Sequence, residues 1–395
     1  MSIPAALARR RNYAGPALFS YGFRPFFLGG AVWAALAVLL WLPLYVGELA
    51  FPSAFAPLDW HVHEMLYGYV GAVVAGFLLT AVPNWTGQLP INGPPLAGLA
   101  GLWLAGRIAV FTSASIGAAA AAVIDVAFLA LLAGLMMREI MAGKNWRNLR
   151  VIGVVAVLIA GNVTFHAEAA VRGTAAYGTR IGIAAVIGLI MLIGGRIIPS
   201  FTHNWLTREN PGRVPATFSR FDVASLVLAA ASLVAWVASP AAVVAGLLLL
   251  AAGVLHAIRL ARWAGDRTLA EPLVLVLHVG YAFVPLGFCF AGAAALWPAD
   301  VPTSAGIHAW TAGAAGLMTL AVMTRATLGH TGNALVASRA TLAIYGCAAV
   351  AALARIAAAF WPDLLVLHVA AAAWVLAFGG FAVVYGQLLL RARRG

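Results

Sequence analysis

Apolar segments of membrane-spanning length recur along this chain, and they decide what it can fold into. The sequence of 395 residues is 63% hydrophobic and 9% charged, with a mean hydropathy of +0.96. A soluble domain carries roughly 25% charged residues, and a helix needs about 20 apolar residues to cross a bilayer. The sequence therefore predicts an all-α, polytopic protein: a single integral membrane domain over residues 1–395, with tails at about 1–25 and 390–395.

Twelve segments qualify as transmembrane helices, and we expect them to form a helical bundle. They lie at about 26–46, 64–83, 95–115, 117–137, 151–171, 180–199, 221–239, 241–260, 272–296, 306–324, 340–360 and 364–389.

The basic residues follow the loops of this topology. With the N-terminus in the cytoplasm, the Lys and Arg residues of the loops fall on the inner side, apart from Arg172 and Arg180. Cytoplasmic loops of membrane proteins are enriched in Lys and Arg, so both termini are predicted to be cytoplasmic. The net charge of +12 thus reflects membrane topology. The bilayer is the expected partner, and nucleic acid is not.

The second segment begins with a dense polar motif, WHVHE at residues 60–64, and this motif has a distant counterpart. An offset of 245 residues relates His63, Gly68, Gly71, Thr86 and Gly87 to His308, Gly313, Gly316, Thr331 and Gly332. Histidines inside membrane segments are rare and usually have a partner. A metal is one partner that suits imidazole.

A b-type haem between two helices would use one imidazole from each. We predict that His308 and one of His61 or His63 are its axial ligands, with Gly68, Gly71, Gly313 and Gly316 giving clearance beneath the ring. The alternative for these glycines is close helix packing, for which small residues are the usual device. No Cys-x-x-Cys-His motif is present, which excludes covalent c-type attachment.

Other polar residues are candidate partners of this haem or candidates for proton transfer. Arg107 and Arg355 are candidate partners for haem propionates, which guanidinium groups bind well. For Arg107 the simplest interpretation is an ion pair with Asp125, because adjacent antiparallel helices would place the two at similar depth. Glu64 is a helix-capping acid by default, or else a partner for an imidazole N–H or a proton carrier. Tyr281 is a second candidate for proton transfer.

A second metal centre is also expected. His61 and His63 are two residues apart, so on a helix they point in different directions and cannot easily share one metal. We predict that the remaining member of the pair, with His166 and His278, supplies a second haem or a copper ion. Imidazole suits both metals, so the ligand type does not choose between them.

Several longer motifs carry a family resemblance. They are YGFRPFF at residues 21–27, WHVHEM at 60–65, GFLLTAVPNWTG at 76–87, LWLAGR at 102–107, GGRIIP at 194–199, LHVGY at 277–281 and MTLAVMTRATLGHTG at 318–332. Together they resemble the NnrS family of haem- and copper-containing membrane proteins, over nearly the whole chain. The resemblance implies that the metal ligands are among the histidines that match the family pattern: His61, His63, His166, His278, His308 and His330.

This resemblance implies one or two b haems, copper, and a place in the bacterial inner membrane. It also implies a role in the nitric oxide response of denitrifying bacteria. Nitric oxide or a related small gas is then the expected ligand, and we predict that it binds at a ferrous haem. Reduction of nitric oxide would further require an electron donor, and whether the protein is an oxidoreductase is left open.

Two other architectures share features with this sequence. Histidines on the second and tenth of twelve segments resemble the catalytic subunit of haem–copper oxidases. However, segments 180–199 and 221–239 contain no histidine for the copper site of that family. A cofactor-free secondary transporter would also have twelve spans with both termini inside. The 245-residue repeat relates spans 2 and 10, whereas two equal halves would relate spans 2 and 8.

Overall fold

The computed structural model describes residues 13–392, which are predominantly helical and include no strand. Twelve helices are long and apolar enough to cross a membrane, which confirms the predicted all-α, multi-pass class. They are α1 Phe23–Tyr45, α2 Pro57–Thr86, α3 Pro94–Phe111, α4 Ala118–Ala142, α5 Leu149–Arg172, α6 Ala176–Glu209, α7 Arg220–Ala238, α8 Val243–Ala261, α9 Pro272–Leu296, α10 Thr303–Thr331, α11 Arg339–Phe360 and α12 Leu364–Leu390. The basic residues predicted on the cytoplasmic side at 9–11, 393 and 394 lie outside the described residues.

Local sequence signals set the ends of these helices. Pro57, Pro94 and Pro272 stand in the first turn of α2, α3 and α9, where proline has no hydrogen bond to lose. Helix α5 ends at Gly173, whose φ of +75° is a conformation that glycine adopts without steric cost. These signals lie between the apolar segments and divide the chain into separate spans.

The chain divides into two compact units. The first comprises Met1–Gly182, Met323–Ala334 and Phe378–Gly395, and the second comprises Ile183–Val322 and Leu335–Ala377. In the first unit, α2 packs against α1, α4 and α5, and α4 also packs against α3 and α5. In the second unit, α8 packs against α7 and α9, and the middle of α10 packs against α9 and α11.

Helices α2 and α10 share a backbone irregularity. A π-helical segment spans Glu64–Tyr69 in α2 and Ala309–Ala315 in α10. Each begins directly after the histidine of the 245-residue repeat. Both helices are also followed by a glycine with positive φ, +70° at Gly87 and +81° at Gly332. The repeat seen in the sequence is therefore also a repeat of backbone conformation, and π segments are frequent at functional sites.

Candidate metal centre

A buried polar cluster lies in the first unit, where four helices contribute to it. Its side chains come from α2, α3, α4 and α5, and each residue is between 0 and 6% exposed: His63, Glu64, Arg107, Asp125, Asn162 and His166. Burying ionisable groups among membrane helices is costly, and they are rare there unless they have partners or a function.

Asp125 is the centre of this cluster. Its Oδ2 lies 3.1 Å from His63 Nε2 and 3.1 Å from His166 Nε2. The Asn162 side-chain amide donates to the same oxygen at 2.8 Å. Asn162 and His166 are one turn apart on α5, so both face Asp125 from a single helix face.

Arg107 joins the two carboxylates of the cluster. Its Nη1 donates to Glu64 Oε1 at 2.7 Å, and its Nη2 donates to Asp125 Oδ1. The predicted ion pair between Arg107 and Asp125 is thus confirmed. Glu64 Oε2 also accepts a hydrogen bond of 2.6 Å from Trp33 Nε1, and Glu64 Oε1 lies 3.0 Å from His63 Nδ1.

Three of these side chains have the arrangement of metal ligands. One ligand atom each from His63, Asp125 and His166 lies within 4.8 Å of the others. Within residues 13–392 no other group of three His, Cys, Asp or Glu side chains meets that criterion. The sequence predicts that His166 and one member of the 61/63 pair belong to a second metal centre. In the structure, His166 and His63 lie in the same cluster.

Aromatic rings enclose the two imidazoles. The Phe55 ring lies 5.2 Å from that of His63 and 5.3 Å from that of His166, measured between centroids. Phe165 and Tyr67 each lie 5.3 Å from the His63 ring. The apolar surroundings strengthen every electrostatic interaction in the cluster because the local dielectric is low.

The other histidine of the pair has different surroundings. His61 stacks on Trp41, with 4.1 Å between ring centroids, and is not a member of the three-ligand group. The expectation that His61 and His63 serve different environments agrees with this. His330, at the end of α10, lies 5.5 Å from the rings of Tyr21 and Phe23.

Two predicted ligands belong to the second unit. His308 Nδ1 lies 2.6 Å from the carbonyl oxygen of Ser304, so Nδ1 carries the proton and donates it there. This hydrogen bond makes Nε2 the acceptor nitrogen, as in most metal-binding histidines. His278 Nε2 lies 2.8 Å from Thr202 Oγ1. The haem with His308 as one ligand and His61 or His63 as the other stays a prediction.

The four glycines predicted beneath a haem border the protein's own side chains. A Cβ at Gly68 would lie 2.5 Å from Arg107 Nη1, and one at Gly71 would be 3.6 Å from Leu129. In the second unit, Gly313 borders Phe283 and Gly316 borders Trp374. The packing alternative accounts for these neighbours, and contact with a haem stays a prediction.

The remaining candidates have mixed outcomes. Glu64 lies about two turns beyond the N-terminus of α2 at Pro57, so its default role as a helix-capping acid is wrong. It is a partner of an imidazole nitrogen instead. The Tyr281 hydroxyl lies 2.9 Å from His256 Nδ1 and accepts from Arg259 Nη1 at 2.9 Å. Arg355 is half-buried on α11, and its contact with a propionate stays a prediction.

Three residues at this site were not predicted as part of a metal centre: Asp125, as a ligand, Asn162, and Trp33, which lies next to the cluster and donates to Glu64. A signal existed for two of them. Asp125 was expected at the depth of Arg107, and Asn162 precedes His166 by one helical turn, which is the spacing of side chains on one face. What the sequence did not reveal was that α2, α4 and α5 are mutual neighbours.

Comparison with known proteins agrees with the resemblance. No curated protein matches the chain. The family model described as "NnrS protein" matches residues 17–393. Because this match covers nearly the whole sequence, the chain belongs to the NnrS family.

Proposed function

We propose that this chain is a metal-containing membrane protein of the nitric oxide response, and that His63, Asp125 and His166 hold its copper ion. The observation that carries the proposal is the placement of these three ligand atoms within 4.8 Å of one another in a buried site. The nitric oxide context and the copper come from the family resemblance.

The donor set fits a copper ion. Nitrogen and oxygen ligands bind a first-row metal at about 2.0–2.2 Å, which puts neighbouring ligand atoms roughly 3 Å apart. Asp125 Oδ2 lies 3.1 Å from each imidazole Nε2, in agreement with that spacing. Imidazole together with carboxylate suits Cu²⁺ among other divalent metals.

Charge balance also favours a bound cation. With neutral imidazoles, the charges of Glu64, Asp125 and Arg107 leave one net negative charge in the interior of the unit. An uncompensated buried charge costs several kcal/mol. In addition, His63 Nε2 faces two acceptors, Asp125 Oδ2 and Asn162 Oδ1 at 3.1 Å each. A cation bound at this position would neutralise the net negative charge and would interact favourably with both oxygen atoms.

The chain would use this site to bind a small neutral gas. Three protein ligands leave a coordination position open, and a copper ion with such a position can bind nitric oxide there. Phe55, Phe165 and Tyr67 limit the space beside the imidazoles and keep it apolar. Nitric oxide partitions into lipid, so it reaches a site between membrane helices without a polar channel.

We place binding or protection before turnover. Reduction of two molecules of nitric oxide to nitrous oxide and water consumes two electrons and two protons. That reaction needs an electron donor, and no donor site is identified in the sequence. With His63 assigned to the cluster, His61 is the member of the pair left for the predicted haem, whose two imidazole ligands would leave no open position.

A purified sample tests the proposal. The full-length protein in detergent should contain about one copper ion per chain and show a haem Soret band, and its spectrum should change when nitric oxide is added to the reduced, anaerobic sample. His166→Ala should lose the copper, whereas His368→Ala, at an exposed histidine, should keep it. A colourless, copper-free protein would refute the proposal and favour the transporter alternative.

A further inference from the structure

Glu64 follows a proposed metal ligand directly in sequence, and its carboxylate contacts that ligand. We propose that Glu64 is a positioning residue, which fixes the ring nitrogen through which His63 binds the metal. The inference rests on the proposed metal site at His63, Asp125 and His166. It adds to that proposal the group that prepares the site for a metal.

A π-helical segment begins at the residue that makes this contact with His63. The π segment begins at Glu64, and Glu64 Oε1 lies 3.0 Å from His63 Nδ1. A widened turn therefore occurs at the residue that pairs with the imidazole, and π segments of this kind are often found at functional sites.

Glu64 is itself held in place from two sides. Trp33 Nε1 donates to its Oε2 at 2.6 Å, and Arg107 Nη1 donates to its Oε1 at 2.7 Å. Trp33 and Arg107 approach over Gly68, where a Cβ would lie 2.5 Å from Arg107 Nη1 and 3.0 Å from Trp33 Nε1. Only a residue without a side chain leaves room for this arrangement.

The hydrogen bonds assign the proton on His63. A carboxylate accepts only, so Nδ1 carries a hydrogen and donates it to Glu64. With a metal at the site, the neutral ring would bind it through Nε2, the nitrogen that faces Asp125 Oδ2. Metal-binding histidines usually donate their other ring N–H to a carboxylate, a backbone carbonyl or water, which fixes the tautomer and the ring orientation.

Copper binding to Glu64 variants tests this role. The metal-stripped, full-length protein in detergent is titrated with Cu²⁺ against a chelator, and the loaded protein is examined by electron paramagnetic resonance. Loss of such a partner typically weakens metal binding 10- to 100-fold, so we expect a loss of this size for Glu64→Ala. We also expect heterogeneity in its Cu²⁺ spectrum, because the His63 ring is no longer fixed.

A conservative variant separates position from charge. Glu64→Gln removes the same charge as Glu64→Ala, but its amide oxygen can still accept from His63 Nδ1. We expect Glu64→Gln to recover most of the affinity and the single spectrum. Glu168→Gln is the matched control, because Glu168 is a buried carboxylate of the same unit that accepts from the Gly178 N–H instead.

The outcomes distinguish this inference from the proposed function. If the wild-type protein binds no Cu²⁺, the proposed metal site and this inference both fail. If the wild type binds and Glu64→Ala binds equally well with an unchanged spectrum, only the inference fails. Equal losses for Glu64→Gln and Glu64→Ala would show that charge matters and position does not. Should Glu64→Ala not fold, Trp33→Phe removes the hydrogen bond that holds Glu64 Oε2. We then expect weaker Cu²⁺ binding and a heterogeneous spectrum, and unaltered affinity and spectrum in Trp33→Phe would overturn the inference.

Discussion

Arg107 forms ion pairs with both buried carboxylates of the cluster, Glu64 and Asp125. Breaking a buried ion pair by removing one partner costs about 3–5 kcal/mol, whereas replacing the whole group with apolar residues is often neutral or stabilising. Stability alone therefore does not require ionisable groups at this place. Their retention inside a membrane unit agrees with a binding role for the cluster.

Gly68 offers a test of how tightly the cluster is built. A methyl group at this position would lie 2.5 Å from Arg107 Nη1 and 2.9 Å from Glu64 Oε2. We expect Gly68→Ala to destabilise the protein by about 1–3 kcal/mol through overpacking, which outweighs a gain in helix propensity of up to about 1 kcal/mol. Thermal unfolding measures the first effect, and the copper content should fall with it.

Gly71 provides the control for that substitution. It lies on the same helix, but a Cβ there would meet its nearest neighbours at 3.6 and 3.9 Å, which is ordinary van der Waals contact. Gly71→Ala should therefore leave the melting temperature and copper content unchanged or slightly raised. If both variants behave alike, the close approach at Gly68 is not what holds the cluster together.

Contacts between residues on consecutive helices, at similar depth in the membrane, could be predicted from the sequence. Contacts between residues on helices far apart in the sequence could not. The ion pair of Arg107 and Asp125 follows from two antiparallel neighbours joined by a short turn. The pairing of His63 with His166 requires that α2 and α5 be neighbours, which hydropathy does not reveal because each span presents a similar apolar surface to any partner. The sequence predicts a start of the second span at residue 64, which makes Glu64 a residue of the helix N-terminus. In the structure the helix begins earlier, at Pro57.

At the level of helices, α2 and α10 are the irregular pair. A π turn contains an additional residue, so the side chains beyond it are rotated relative to those before it. In α2 this rotation separates His63 from the residues after Glu64, and in α10 it separates His308 from the residues that follow it. No hydropathy pattern signals a π turn, yet the repeat of His, Gly and Thr-Gly marked both helices. The shared irregularity supports a metal-binding role for His308 as well as for His63.

The role of His308 can be tested by its absorption spectrum. Replacing His308 with alanine should leave the protein inserted in the membrane but remove the sharp low-spin haem bands, because an axial ligand is lost. His368→Ala is a matched control, since His368 Nδ1 makes the same kind of bond to a carbonyl four residues earlier, at 2.7 Å. A His308→Ala spectrum identical to that of the wild type would exclude His308 as a haem ligand.

At the scale of the whole molecule, composition determined most of what could be predicted. All twelve predicted segments correspond to helices of spanning length, because a helix that satisfies its own backbone hydrogen bonds is the structure that an apolar segment adopts in lipid. The helix ends were shifted by several residues where polar ends extend a span, as in α6, which continues to Glu209. Composition does not reveal the division into two units, whose boundaries fall within α6, α10 and α12 and in the loop between α10 and α11.

Membrane orientation gives the last prediction. The positive-inside rule places the loop between α1 and α2 outside and the end of α6 inside. Glu48 in that loop and Glu209 at the end of α6 are both exposed. In right-side-out spheroplasts, an impermeant thiol reagent should therefore label Glu48→Cys, and label Glu209→Cys only after permeabilisation. The wild type gives the background, since Cys289 and Cys347 both lie within helices. Labelling of Glu209→Cys in intact spheroplasts, with none of Glu48→Cys, would reverse the orientation and place the His63 end of α2 at the cytoplasmic side.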